Sequence, residues 1–296
     1  MPAITASLPA AQAGTLTLGG DLTVNRMGFG AMRITGKGIW GPPADREAAL
    51  ATLRRAVELG VNFIDTADSY GPDVSEELIA EALWPYPAGL VITTKAGWVR
   101  FGPGVWQHNA TPGHIQEAIE GSLKRLRLDH IDIYQLHVPD PATSFDASVE
   151  AIARLKEQGK VRHVALSNVT LEHVRRAQKI VPIVSVQNRY SFSDREWDFV
   201  LDYCEANGIA FLPWGPMAQG RTANEVVEKI AADRKVSTAV VSLAWLLRRS
   251  PVMLPIPGTS NVSHLEENVS AAAFHLTDAE FAQMNAVVPK PYWLRA

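Results

Sequence analysis

Cysteine is nearly missing from this sequence: Cys204 stands alone among 296 residues. One thiol closes no disulfide and offers a metal no second sulfur. That usage fits a reducing, cytoplasmic setting and makes Cys204 a core or half-buried helix residue. A basic excess is missing too. Lys and Arg number 28 against 31 Asp and Glu, for a net charge of −3, so the chain lacks the electrostatic footprint that nucleic acid or an anionic membrane would require. The longest apolar segment, Ala239 to Leu247, is interrupted by Ser242 and closed by Arg248 and Arg249, too short and too broken for a spanning helix. Residues 1–14 are small and uncharged but lack the basic start of a signal peptide, and they read as a flexible tail. His108, His114, His130 and His137 fall into no metal-ligand spacing, so no metal site is expected. Gly28-Phe29-Gly30 and Gly102-Pro103-Gly104 each begin a G-x-G without the third glycine of a dinucleotide fingerprint, which argues against a Rossmann fold.

What the sequence does contain is one theme repeated. Thr15 to Val24 alternates apolar and polar residues about Gly19, Gly20 and Asp21, the composition of a tight hairpin turn. Units then follow of a short apolar run, a polar loop and a segment with apolar residues at helical spacing. The expected strands are Met27–Gly30, Asn62–Asp65, Val91–Lys95, Ile131–His137, Val161–Ser167, Ile183–Gln187, Ala210–Trp214 and Val252–Ile256. Several are nearly continuous apolar runs, as parallel strands covered on both faces must be. Leu50, Leu53 and Val57, then Ile115, Ile119 and Leu126, mark helical stripes that need a sheet to cover. Thr111 before Pro112, Asp194 and Thr277 read as helix N-caps. Regular alternation without a composition break predicts an α/β chain. The expected architecture is one (β/α)8 TIM barrel over residues 15–296 with an N-terminal β-hairpin, in preference to an open doubly wound sheet.

In such a barrel, reactive groups collect where strands run out into βα loops. The second strand runs out through Asp65, Thr66, Ala67, Asp68, Ser69 and Tyr70; the third ends on Lys95 and the fourth on His137. An ammonium beside a phenol stabilises the phenolate and lowers its pKa, and a carboxylate can hold that ammonium in place. An imidazole can orient a carbonyl or share the proton transfer. Asp65, Lys95, Tyr70 and His137 therefore form a candidate site for polarising a C=O. Singly, each has a plainer reading: a structural ion pair, a loop aromatic, a core histidine.

At these residues the sequence resembles the aldo-keto reductases, and the resemblance runs from Met27 to Ala286. It implies that Tyr70 is the general acid of carbonyl reduction, that Lys95 tunes it, that Asp65 supports Lys95 and that His137 orients the carbonyl. It also implies a nicotinamide cofactor, with Ser167, Asn168 and Gln187 on the carboxamide and Trp214 stacked on the ring. The exit of the seventh strand, including Gly215 and Pro216, and the stretch with Gly258, Thr259 and Ser260 would line the cofactor phosphates. A helix starting near Val262 would aim its amides at the adenosine phosphate, near His264, Glu267 and Asn268. Many members carry basic residues where this chain has Gly258 and His264, so phosphate selection would rest on hydroxyls, amides and the imidazole. NADPH is the expected cofactor, with NADH tolerated.

Trp40, Trp98 and Trp106 lie in loops after the first and third strands and are candidates for an aromatic substrate wall. The loop after the seventh strand, Ala218 to Thr222, is short, and an open pocket is the expectation. The run Gly41 to Arg46 and the stretch Gly258 to Asn268 resemble the bacterial pyridoxal reductase-like subgroup, which implies pyridoxal or another aromatic aldehyde as a small carbonyl substrate for a monomer. A cofactor-binding regulatory subunit, as in potassium-channel β subunits of the same fold, and a sugar-active lyase or isomerase remain open readings at this level.

Overall fold

Residues 8–217 and 224–287 are described in a computed structural model. The strands in chain order are β1 (Thr15–Leu18), β2 (Leu22–Asn25), β3 (Phe29–Gly30), β4 (Phe63–Asp65), β5 (Val91–Ala96), β6 (Trp98–Gly102), β7 (Val105–His108), β8 (Ile131–Leu136), β9 (Val161–Ser167), β10 (Ile183–Arg189) and β11 (Ala210–Trp214). Seven of them form one parallel sheet in the order β11-β10-β9-β8-β5-β4-β3. Helices cover it, as the apolar runs require: α1 (Arg46–Glu58), α2 (Val74–Leu83), α3 (Pro112–Leu126), α4 (Phe145–Glu157), α5 (Leu171–Ala177) and α6 (Asp198–Ala206) follow successive strands. After residue 223 come α7 (Glu225–Arg234), α8 (Thr238–Arg249), α9 (Val262–Ser270) and α10 (Asp278–Ala286). Ile115, Ile119 and Leu126 face inward from α3, as their spacing predicts, and Cys204 is fully buried on α6.

The eighth expected strand does not form a regular ladder, and its prolines explain why. Around Val252–Ile256, Phe211 N donates to Val252 O at 2.9 Å and Leu254 N donates to Phe211 O at 2.9 Å. On the other side Gly28 N donates to Pro255 O at 2.9 Å and Gly30 N to Pro257 O at 3.3 Å. Pro255 and Pro257 have no N–H to return. The segment still joins β11 to β3 and closes the (β/α)8 barrel. Phe63, Val91, Ile133, Ala165, Leu212 and Leu254 fill its interior, where they meet Leu18, Leu22 and Val24 of the hairpin.

That hairpin, β1–β2, turns through Gly19 and Gly20 at φ 63° and 85°, a conformation only glycine adopts cheaply. It plugs the end of the barrel opposite the site described below, with Asp21 paired to Arg162 at 2.8 Å and to His163 at 2.6 Å.

Three expectations are corrected. Leu8 to Gly14, taken as tail, is packed instead: Pro9–Ala13 is a 3-10 turn, Ala10 is 0 % exposed and its N–H donates to Leu59 O at 3.0 Å. Proline at the first position and a buried alanine anchor it; residues 1–7, like the loop expected to be short at Ala218 to Thr222, lie outside the described residues. Asp194 is no helix cap, since α6 begins four residues later and Asp194 pairs with Arg189 at 2.8 Å. Trp98 and Trp106 stand not in loops but on the antiparallel pair β6–β7. Thr111 and Thr277 do cap α3 and α10, the latter with Glu280 in a capping box. Among the described residues no helix is long and apolar enough to cross a membrane.

Candidate active site

Parallel strands all point their C-terminal ends one way, so residues far apart in sequence meet at one mouth. Asp65 ends β4, Lys95 stands one residue from the end of β5 and His137 follows β8; Ser167 ends β9, Gln187 lies in β10 and Trp214 ends β11. Tyr70 is carried by the loop between β4 and α2. Gly71 turns that loop at φ 108°, where an added Cβ would meet Val74 Cβ at 2.5 Å, so the bend into α2 tolerates no side chain there.

The four residues read as a carbonyl-polarising set do come together. Lys95 Nζ lies 2.7 Å from Asp65 Oδ2, 2.7 Å from Thr66 O and 3.3 Å from the Tyr70 hydroxyl. The Tyr70 and His137 rings meet edge to face with centroids 5.7 Å apart. Lys95 is fully buried and Tyr70 is 6 % exposed. Burial alone would lower the ammonium's pKa, but Asp65 and Tyr70 raise it above its ordinary value. For Tyr70 the outcome differs from the simple expectation. Burial raises the phenol's pKa more than the nearby Lys95 lowers it, and Asp65 adds to the rise. The hydroxyl is thus a neutral donor whose pKa Lys95 only restrains. Burial, reinforced by the positive charge of Lys95, pushes His137 well below the usual imidazole range, so the ring is neutral. Its Nδ1 lies 3.4 Å from the Ser69 hydroxyl. A proton donated from Ser69 would leave the N–H on Nε2.

A cavity of about 750 Å3 opens over these groups, lined on one side by Asp65, Tyr70 and His137 and walled by Trp98 and Trp106. Ser167, Asn168, Gln187, Trp214, Gly215 and Pro216 line the same cavity, which extends to Gly258. Lys95 sits behind its surface. Trp40 does not line it: its backbone bridges to Gly71 and its ring lies 5.8 Å from the Arg100 guanidinium, where it packs the loop. The Asn168 amide already has partners. Its Nδ2 donates to His137 O at 3.0 Å and Ser167 Oγ at 3.1 Å, and its Oδ1 accepts from Trp214 Nε1 at 2.9 Å. Asn168 therefore fixes the Trp214 ring against the cavity and has little left for a ligand.

The residues expected at the adenosine end stand apart from this cavity. Thr259, Ser260, His264, Glu267 and Asn268 stand outside the cavity lining, on the turn before α9 and along that helix. The helix starts at Val262, as expected, but the N–H groups of Ser263 and His264 are bound by Asn261 Oδ1 at 2.8 and 3.2 Å, and Thr259 Oγ1 accepts from Asn261 N at 3.1 Å. The sequence reading also missed contributors. Met32, Arg33 and Val138 line the cavity beside Met217 and Ile256, which belong to the two segments expected at the cofactor, and Gln135, buried in β8, bonds Asp65 directly at 2.9 Å. Their only sequence signal was position near a strand end. Gly258 packs so closely that a Cβ there would lie 2.4 Å from Gly30 O, with Arg33 Cγ at 3.6 Å. Among the described residues no cluster of three or more His, Cys, Asp or Glu is placed to hold a metal ion.

The sequence model of the Aldo/keto reductase family matches residues 26–289. An uncharacterised oxidoreductase of Schizosaccharomyces pombe is 49% identical over 285 residues, covering 96% of this chain and 92% of the relative. Pyridoxine 4-dehydrogenase of Escherichia coli is 42% identical over 281 residues, 92% of this chain and 98% of the enzyme. Among solved structures, the glycerol dehydrogenase of Gluconobacter oxydans superposes with a TM-score of 0.84 at 26% identity, over 94% of this chain and 97% of that one. An aldo-keto reductase of Klebsiella pneumoniae in complex with NADPH superposes with a TM-score of 0.80 at 25% identity, over 94% and 96% of the two chains.

Proposed function

The chain belongs to the aldo/keto reductase family and is an NAD(P)H-dependent oxidoreductase, and on that premise we propose that it reduces aromatic aldehydes of the pyridoxal type to alcohols with NADPH. One observation carries this reading: the Tyr70 hydroxyl, backed by Lys95 at 3.3 Å, faces a cavity walled by Trp98 and Trp106. Flat aromatic walls suit a flat aromatic substrate. The similarity to pyridoxine 4-dehydrogenase supports the same substrate class.

The cavity fits a nicotinamide. Trp214, tethered through its Nε1, offers a flat apolar face, and Ser167 and Gln187 offer polar groups beside it. When bound, the reduced cofactor supplies the hydride. The chain's own residues do the rest. His137, neutral and placed beside Tyr70, orients the carbonyl oxygen through an N–H. Tyr70 donates the proton to that oxygen, and Lys95, held by Asp65, stabilises the phenolate left behind. Trp98 and Trp106 exclude water from the reacting face. The buried lone Cys204 is at home in a reducing, cytoplasmic setting.

The test is loss of reduced-nicotinamide absorbance when purified protein and NADPH meet pyridoxal, nitrobenzaldehyde or methylglyoxal. Turnover of the aromatic aldehydes is expected. No turnover of any carbonyl with NADPH or NADH would sink the proposal.

A further inference from the structure

Gln135 is fully buried in β8 and turned into the barrel. Its Nε2 lies 2.9 Å from Asp65 Oδ1 and 2.8 Å from Thr93 Oγ1. Gln187 Nε2 lies 2.8 Å from the same Asp65 oxygen and 3.4 Å from Gln135 Oε1. Lys95 takes the other Asp65 oxygen at 2.7 Å. A buried carboxylate thus receives three donors from three strands, and only one of them is charged.

The two amides can face in one way only. Reversing Gln135 would set its oxygen against the Asp65 carboxylate, with no hydrogen between them. With Gln135 so oriented, its Oε1 meets Gln187 Nε2, and both N–H groups of Gln187 point at oxygens. That leaves the carbonyl oxygen as the acceptor Gln187 can offer a ligand in the cavity it lines.

We propose that Gln135 is a positioning residue that couples the acid relay to the cofactor wall: it shares the charge of Asp65 behind Lys95 and Tyr70, and it orients Gln187 as an acceptor for an N–H donor such as a carboxamide. The second half rests on the nicotinamide reading above. Removing Gln135 has two separable effects. The charge of Asp65 is less compensated, and because Asp65 opposes ionisation of Tyr70, the phenol holds its proton to higher pH. Gln187 also loses one of the two oxygens that hold its N–H groups and keeps only Asp65, so its carbonyl oxygen is set less firmly toward a ligand.

Gln135→Leu tests both. In alcohol oxidation, which needs the phenolate as base, the acid limb of kcat should move up by about half a pH unit or more, an expected rate loss of about threefold below the limb. By fluorescence quenching, affinity for NADPH should fall severalfold, while affinity for 2′-phospho-ADP-ribose, which has no carboxamide, should not change. Gln135→Glu is the rescue arm. Two carboxylates at this distance cannot both ionise, so the introduced carboxyl holds a proton at low pH and still donates to Asp65. In carbonyl reduction, which uses the protonated Tyr70, near-normal activity at low pH with a new loss as pH rises is expected.

If Gln135→Leu melts lower but keeps the wild-type pH limb and the same ratio of the two affinities, Gln135 is merely structural and the inference is overturned. An equal loss for both nucleotides also overturns it, because that outcome reports general loosening. A wild-type protein that turns over no carbonyl removes the underlying functional reading instead, and the inference falls with it.

Discussion

The Arg100 guanidinium lies 3.7 Å from the centroid of the Trp106 ring, and its hydrogen bonds run to backbone carbonyls. It donates to Ile39 O at 2.7 Å, Gly38 O at 2.9 Å, Ser69 O at 3.0 Å and Val105 O at 3.2 Å. One cation thereby ties the loop after β3, the loop that carries Tyr70 and the β6–β7 hairpin into a single wall. Arg100→Met keeps much of the stem but loses every one of these bonds. The variant should raise KM for an aromatic aldehyde about tenfold, the equivalent of about 1.4 kcal/mol, with little change for methylglyoxal. Trp106→Ala should do the same and Trp40→Ala much less, because Trp40 lies off the cavity. Steady-state kinetics on the two substrates decide it.

Tyr70→Phe removes the proton donor without altering the ring. Turnover should fall by at least about a hundredfold, within the usual range for a general acid, while NADPH still quenches protein fluorescence. Loss of nucleotide binding together with turnover would make Tyr70 a structural residue.

The pH profile follows from two burials. The pKa of His137 is pushed well below the usual imidazole value and that of Tyr70 above the usual phenol value. Neither group changes charge near neutrality, so kcat/KM for reduction should be flat between about pH 6 and 8. A limb in that window that disappears in His137→Gln would contradict the neutral imidazole.

Asp68 offers a stability test. It is buried, and among the described residues its Oδ1 has no hydrogen-bond partner. Burial, then the neighbouring Glu76, raises its pKa well above the carboxylate range, which Arg125 offsets only in part. The folded state therefore binds this proton more tightly than the unfolded state. The stabilisation is complete below the unfolded carboxyl pKa and is lost as pH climbs through the raised folded value. Asp68→Asn removes that loss, so its melting temperature should exceed that of the wild type by about 2 °C or more at alkaline pH. The gap should narrow on acidification in thermal scans at several pH values.

At the cofactor end, Gly258→Ala forces a Cβ to within 2.4 Å of Gly30 O. The backbone must give way where the barrel closes, and both melting temperature and NADPH affinity should drop. His264→Arg adds a permanent cation on the first turn of α9 and should tighten NADPH about threefold or more through a charge-assisted bond, leaving NADH unchanged. Titrating both nucleotides against both variants checks the pair.

Some of this protein was legible in its residues alone. Alternating apolar runs and helical stripes announced the barrel, because burial on two faces of a strand or one face of a helix is written at fixed spacing. Parallel strands all end at the same mouth, so the sequence alone places Asp65, Lys95, Tyr70 and His137 together. The stretch Val252–Ile256 was legible as a closing segment but not as an irregular one, and Trp98 and Trp106 could not be paired across their hairpin. The rest belongs to the tertiary structure. Hydrogen-bond partners and desolvation depend on neighbours that spacing does not name: Gln187 reaches Asp65 across 122 positions, Asn168 turns its amide to Trp214 across 46, and burial rather than Lys95 sets the direction of the Tyr70 pKa. Periodicity determines which faces are buried. Only the closed barrel decided which polar groups met inside it, and which charges water could no longer reach.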